Sequence, residues 1–188
     1  MVTIGTVLPG AHRMSGNKAA RPTVVVGMDD FAPTLGLRHA VLWVSDPAAS
    51  AAFYRAALGL VVKNDLGEAV FMTSPGSATD HDLGLFRAAD GTPRPPRGIG
   101  LYHLAWEVAT LDELVAARAR LSELGALVGE SDHGVSRSLY AQDPDGIEFE
   151  IMWEVPADRA TDDAAMTAPL DLDAAIAEFG ASTPGRGV

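Results

Sequence analysis

The feature that most constrains this chain is an internal repeat. Leu37-Arg38-His39-Ala40-Val41-Leu42-Trp43-Val44 and Leu101-Tyr102-His103-Leu104-Ala105-Trp106-Glu107-Val108 share one apolar pattern with a histidine in its third place, and His39 and His103 stand 64 residues apart. Each stretch reads as a strand and is followed by a helix start. In the first copy Ser45-Asp46-Pro47 supplies an N-cap, Ser45 or Asp46, with Pro47 in the first turn, and Gly59 closes the helix after Leu58. In the second copy Thr110-Leu111-Asp112-Glu113 is a capping box, and the helix runs to Leu124 and stops at Gly125. Three strand-like stretches follow each helix: about 60–63, 69–73 and 81–86, then about 127–129, 136–141 and 147–153. The order β-α-β-β-β therefore occurs twice. Two such copies can pair to close one shared site. The expected fold is α+β, with two βαβββ modules pairing into a mixed sheet around one shared site and helices outside.

The remaining segments bound the folded part. Residues 1–36 are rich in Gly, Pro and Ala and read as an N-terminal extension, with Thr23-Val24-Val25-Val26 as a short strand. The modules span 37–87 and 100–154, joined by a Pro/Arg/Gly loop from Ala88 to Gly98. Residues 155–188 read as a tail with one helical patch from Leu170 to Phe179, and the acidic run from Asp158 to Asp163 reads as solvated.

Composition excludes several classes of function. The absence of cysteine removes disulfide, zinc-ribbon and thiolate chemistry. A formal net charge of −11 argues against a nucleic-acid partner, since phosphate binding needs clustered Lys and Arg. No apolar run is long enough to span a bilayer, and the N-terminus lacks a signal pattern, so no membrane partner and a cytoplasmic location are expected. The chain contains no phosphate-cradling G-x-x-x-x-G-K-[ST], no H-E-x-x-H and no G-x-S-x-G.

What remains is a set of metal-ligating side chains. A lone histidine on an apolar strand is more often a hydrogen-bonded core residue than a ligand. Here two equivalent histidines, His39 and His103, are joined by Glu150 in the last apolar stretch, after the turn Asp143-Pro144-Asp145-Gly146. A buried carboxylate is costly without a cation or hydrogen bonds to compensate it. Two histidines and one carboxylate suit non-haem iron(II) with open positions. Glu148 is the rival carboxylate, two residues away and so on the same strand face. Trp43 and Trp106 read as core or wall residues.

Between Leu37 and Glu154 the chain resembles the vicinal oxygen chelate superfamily. The resemblance rests on Asp46 to Leu60, with Phe53-Tyr54 and Leu58-Gly59-Leu60, and on Asp143-Pro144-Asp145-Gly146 with Glu150 four residues on. Its extradiol dioxygenase branch matches most residues. That resemblance implies a cup-shaped sheet around one metal site, with His39, His103 and Glu150 as ligands of iron(II) and manganese(II) as the alternative ion. It implies His81 as a proton-transferring residue, and His133, in His133-Gly134-Val135-Ser136, and Tyr140 as contacts to the reacting oxygens. The implied activity is O2-dependent cleavage of a small aromatic diol. Two imidazoles and one carboxylate would leave the metal site at net +1, which suits a catecholate monoanion. His12 has no place in this scheme.

Two alternatives stand beside it. A glyoxalase- or epimerase-like metal isomerase usually needs a fourth ligand late in the first module, where His81-Asp82-Leu83-Gly84-Leu85-Phe86 offers only Asp82. A metal-free drug-binding resistance protein usually lacks the triad. A homodimer or higher homo-oligomer is the expected assembly.

Overall fold

Local signals set each helix in a computed structural model that describes residues 34, 36–89, 99–160 and 167–187. Helix α1 (Pro47–Leu58) begins at Asp46, whose carboxylate accepts hydrogen bonds from the Ala48 and Ala49 amides at 3.0 and 3.3 Å. It ends at Gly59, where a φ of 72° lets the amide donate back to the Arg55 carbonyl. Helix α2 (Leu111–Glu123) begins at Thr110, whose hydroxyl accepts from the Glu113 amide, while the Glu113 carboxylate accepts from Ala109 at 2.7 Å. Leu111, Leu114, Ala117 and Leu121 form its buried face.

Around α1 lie β1 (Ala40–Val44), β2 (Val61–Asp65), β3 (Ala69–Thr73) and β4 (Leu83–Arg87). Around α2 lie β5 (His103–Glu107), β6 (Leu127–Asp132), β7 (Ser136–Gln142) and β8 (Glu148–Glu154). The strand orders are β1-β4-β3-β2 and β5-β8-β7-β6, with β1–β4 and β5–β8 parallel and the other pairs antiparallel. The modules thus have one topology and form an α+β fold. They carry two four-stranded sheets rather than a single continuous one. β1 and β5 are edge strands that pair only with β4 and β8: the Ala40 amide donates to Asp82, and just past β5 the Val108 amide donates to Met152.

Strand alternation divides each sheet into a helix-facing side and an open side. Leu42, Val44, Val70, Met72, Leu83 and Leu85 pack toward the helices in the first module, as do Leu139, Ala141, Phe149, Ile151 and Trp153 in the second. Burying such side chains contributes roughly 1.5–3 kcal/mol each.

One further tie crosses between modules. The Tyr54 hydroxyl on α1 donates to the buried Asp143 carboxylate at 3.0 Å, and the Ser45 amide donates to Asp145 at 2.8 Å. Burial pushes the Asp143 carboxyl up, against the bonds it accepts from Ile147, Tyr54 and Asp145.

The helical patch in the tail is helix α3 (Leu172–Phe179), capped by Asp171, and it buries Leu172, Ala175 and Phe179. After it the chain returns over α2 and β8, through the Asp112 amide to Ala181, Gly185 to Ala109 and Arg186 to Glu154. The expected strand at Thr23–Val26 and His12 lie outside the described residues, as do most of the loop 88–98 and part of the acidic run. Among the described residues no helix is long and apolar enough to cross a membrane.

Candidate metal centre

The turn Asp143–Gly146 sets the phase of β8. The Asp143 carboxylate accepts from the Asp145 and Ile147 amides at 2.9 and 2.8 Å, and Gly146 takes a φ of 76°. With that start, Phe149 and Ile151 face the helices and are buried, so Glu148 and Glu150 face the open side. The parallel register puts His103 opposite Glu148 and Ala105 opposite Glu150, and the antiparallel neighbour of Glu150 is Tyr140.

This register gathers four of the expected residues into one linked group. His103 Nε2 lies 3.1 Å from Glu150 Oε2, while its Nδ1 is 4.0 Å from Glu148 Oε1 and has no hydrogen-bond partner although buried. Glu150 is 7% exposed, and no Lys or Arg pairs with it among the described residues. The rings of His103 and Tyr140 meet at 5.6 Å, and the Tyr140 hydroxyl lies 2.8 Å from His133 Nε2. Burial, then the charge and hydrogen bond of Glu150, push the Tyr140 hydroxyl up to about 12. Tyr140 is therefore a neutral donor throughout the neutral range.

The first module brings a second group. His39 lies just ahead of β1 and its ring rests against His81 at 4.5 Å. His81 sits in the β3–β4 loop instead of on the expected strand, edge-on to Phe71 at 5.0 Å, with Nδ1 3.1 Å from Asp80. The loop is gathered by Asp82, whose carboxylate accepts from Thr73, Ser74, Ser77 and Thr79 at 2.5–3.2 Å. Burial opposes the Asp82 charge, yet the hydroxyls of Thr79 and Ser77 and the Ser74 amide outweigh it and hold the carboxyl below its usual range. Its oxygens are thus committed to the loop.

His39 and Asp82 line a cleft with Ala105 and Trp106 of the other module. His103, Glu150, Tyr140 and His133 do not line it; the link to them is Ala105, the register partner of Glu150. Among the described residues no three His, Cys, Asp or Glu side chains already stand as a ready metal cage. The donor chemistry does fit a cation: a buried carboxylate lies beside an imidazole nitrogen in the second module, and the first module adds the imidazole of His39 at its cleft.

Sequence reasoning missed three residues here. Gly84 pairs with Val41 in β1, the place that Glu150 holds against Ala105 in the second module. Phe71 likewise holds the place of Tyr140. The repeat spacing of His39 and His103 carried this signal, but only the β-register turns it into an alignment. The third is Phe86, which meets Trp43 at 5.9 Å and Phe71 at 5.6 Å in an aromatic wall. Trp43 belongs to that wall and is 69% exposed.

Comparison with known proteins places the fold and the family. Over 131 residues the chain is 30% identical to biphenyl-2,3-diol 1,2-dioxygenase 3 of Rhodococcus globerulus, covering 67% of this chain and 68% of that protein. It is 37% identical over 92 residues to catechol-2,3-dioxygenase of Bacillus subtilis (strain 168), which covers 46% of this chain and only 32% of that protein. The chain thus matches about a third of the length of the latter. A glyoxalase/dioxygenase structure from Nostoc punctiforme shares the fold, with a TM-score of 0.54 at 22% identity over 71% of this chain and 99% of that one. Residues 36–151 match the family description itself, and the chain belongs to the glyoxalase/bleomycin resistance protein/dioxygenase superfamily.

Proposed function

We propose that this protein is an iron(II)-dependent extradiol dioxygenase that cleaves a catechol-type ring with O2. The observation that carries this reading is the linked group His103–Glu150–Tyr140–His133, in which a ligand pair adjoins a hydrogen-bonding chain. The dioxygenase names of the curated relatives support it. So does Gly84, which leaves the first module without a carboxylate in the place of Glu150.

His39, His103 and Glu150 would hold iron(II), or manganese(II) in its stead. A bound ion of this kind supplies a shared docking point for diol and O2 and a path for electron density between them. The residues do the rest. Tyr140, a neutral donor, gives a hydrogen bond to a diol oxygen. His133 orients that hydroxyl through Nε2. His81, seated beside His39, accepts a proton from the diol and returns it later, a task suited to an imidazole. Phe71 also packs against the His81 ring. The wall of Phe71, Phe86 and Trp43 offers an apolar surface to the ring.

The deciding experiment is anaerobic loading with iron(II) followed by oxygen uptake against a panel of catechols. Uptake with formation of a ring-cleaved product is expected. Absence of uptake, together with tight zinc or nickel binding and isomerase activity, would overturn the reading.

A further inference from the structure

The turn that carries His133 is held from the far side of the sheet. Residues 133–135 link β6 to β7, and the His133 amide donates to the Ser136 carbonyl at 3.0 Å. A single nitrogen of Arg137, Nη1, reaches three acceptors of this turn: Asp132 Oδ1 at 2.8 Å, the Gly134 carbonyl at 3.2 Å and the Ser136 carbonyl at 3.3 Å. Asp132 Oδ1 also accepts from the Gly134 amide at 2.7 Å. The guanidinium therefore fixes the residues on both sides of His133. Arg137 pairs with Trp153 in the register and is 6% exposed, so it points to the helix side while Tyr140 points to the open side.

A buried arginine is expensive, and this one leaves its Nε without a hydrogen-bond partner. Its outer cover is the last residue of α3. The Phe179 ring lies 5.3 Å from the Arg137 guanidinium carbon and 4.5 Å from that of Arg159, and also meets Trp153 at 5.3 Å. Arg159 donates to the Glu178 and Phe179 carbonyls, and the Thr183 hydroxyl donates to the Phe179 carbonyl, so the ring itself is fixed in place. Cation–π contact of this kind strengthens when desolvated. The same C-terminal segment grips the turn a second time, through paired backbone bonds between Asp132 and Ala168 at 2.9 Å.

We infer that Phe179 and Arg137 are positioning residues: the C-terminal helix acts through the sheet to hold His133 within hydrogen-bond reach of Tyr140. Its kinetic consequence rests on the dioxygenase reading; its structural one does not. The path is short. It runs from the Phe179 ring to the Arg137 guanidinium, to the turn carbonyls, to the His133 backbone and then to the Tyr140 hydroxyl.

The test uses the full chain with Phe179→Leu, which keeps apolar volume and removes the ring, and Phe179→Tyr, which keeps the ring. Nitrogen NMR of the His133 imidazole reads the bond to Tyr140 without any metal or turnover. Phe179→Leu is expected to lose the hydrogen-bonded His133 signal, and Phe179→Tyr to keep it. If Phe179→Leu does not fold, Arg137→Lys replaces it, since lysine keeps the charge but not the planar fork. In the iron-loaded protein, Phe179→Leu should lower kcat toward the His133→Ala level, roughly 100-fold at most, with KM little changed. The double variant Phe179→Leu/His133→Ala should be no slower than His133→Ala alone. An unchanged His133 signal in a folded Phe179→Leu or Arg137→Lys protein would overturn the inference, as would multiplying effects in the double variant. Lack of turnover in the wild type would overturn the dioxygenase reading and leave the NMR result to decide this one.

Discussion

Gly84 and Glu150 occupy the same position in the two modules: Gly84 faces Val41 across β1–β4 as Glu150 faces Ala105 across β5–β8. Gly84→Glu should therefore offer a fourth ligand. A Cβ at Gly84 would come within 3.2 Å of Val41 and 3.3 Å of Phe86, so crowding should cost about 1–3 kcal/mol. Gly84→Glu should bind zinc or nickel more tightly than wild type and lose oxygen uptake. Gly84→Ala should show the stability cost without the tighter metal. Competition against a chromophoric chelator measures the first effect and urea unfolding the second.

Glu150 and Glu148 differ in what they touch. Glu150 meets His103 Nε2 at 3.1 Å, whereas Glu148 stands 4.0 Å from Nδ1. Glu150→Ala should weaken iron(II) binding by more than about 100-fold, beyond what outer residues usually contribute, and Glu148→Ala by about tenfold at most. Metal titration of both variants decides between them, and equal losses would remove the distinction.

His81 should separate binding from chemistry. His81→Phe leaves the three proposed ligands in place and keeps an aromatic ring against His39 and Phe71. Iron content should stay at the wild-type level while kcat falls about 100-fold or more. A wild-type rate would end the proton-transfer role.

Asp82 gives the β3–β4 loop an acid dependence. Its carboxyl is held below the usual range in the folded state, so its stabilisation is present above the unfolded value, about 3.9, and is lost as pH falls through the folded one. Asp82→Ala should lower Tm by about 3 °C at pH 7, and the gap to wild type should narrow below pH 4. Melting curves across pH 3–7 measure it.

Asp143 has the opposite sign. Its carboxyl is raised by burial, so it favours the fold most at low pH and less as pH rises through its raised value. Tyr54→Phe removes a donor from the charged form. The variant should lose about 1–3 kcal/mol at pH 7 and less at pH 4, by urea unfolding at both values.

Much of this architecture was legible in the chain because its signals are local. Asp46, Gly59 and Thr110 mark helix ends through backbone bonds made within a few residues. The Asp143–Gly146 turn marks the phase of β8 in the same way. Other features depend on partners that no apolar pattern marks. The helical patch from Leu170 to Phe179 was legible, but its docking on Trp153 and Arg137, far off in the chain, was not. His81 lies in the loop that the hydroxyls of Ser77 and Thr79 gather around Asp82, one residue ahead of β4. The equivalence of Gly84 and Glu150 is a matter of strand register, and a shift of one residue would have turned Glu150 toward the helices.

The clasp between modules runs one way. The second module lends Asp143 and Asp145 to Tyr54 and Ser45 of the first. In the first module the corresponding loop is folded in on its own Asp82, and the residue 64 positions after Tyr54 is Arg118, which pairs with Glu130. Two first modules joined together would have no clasp, and two second modules would have no tyrosine to receive it. The halves are no longer interchangeable: what began as a repeat now behaves as an obligate pair of unlike subunits written into one chain.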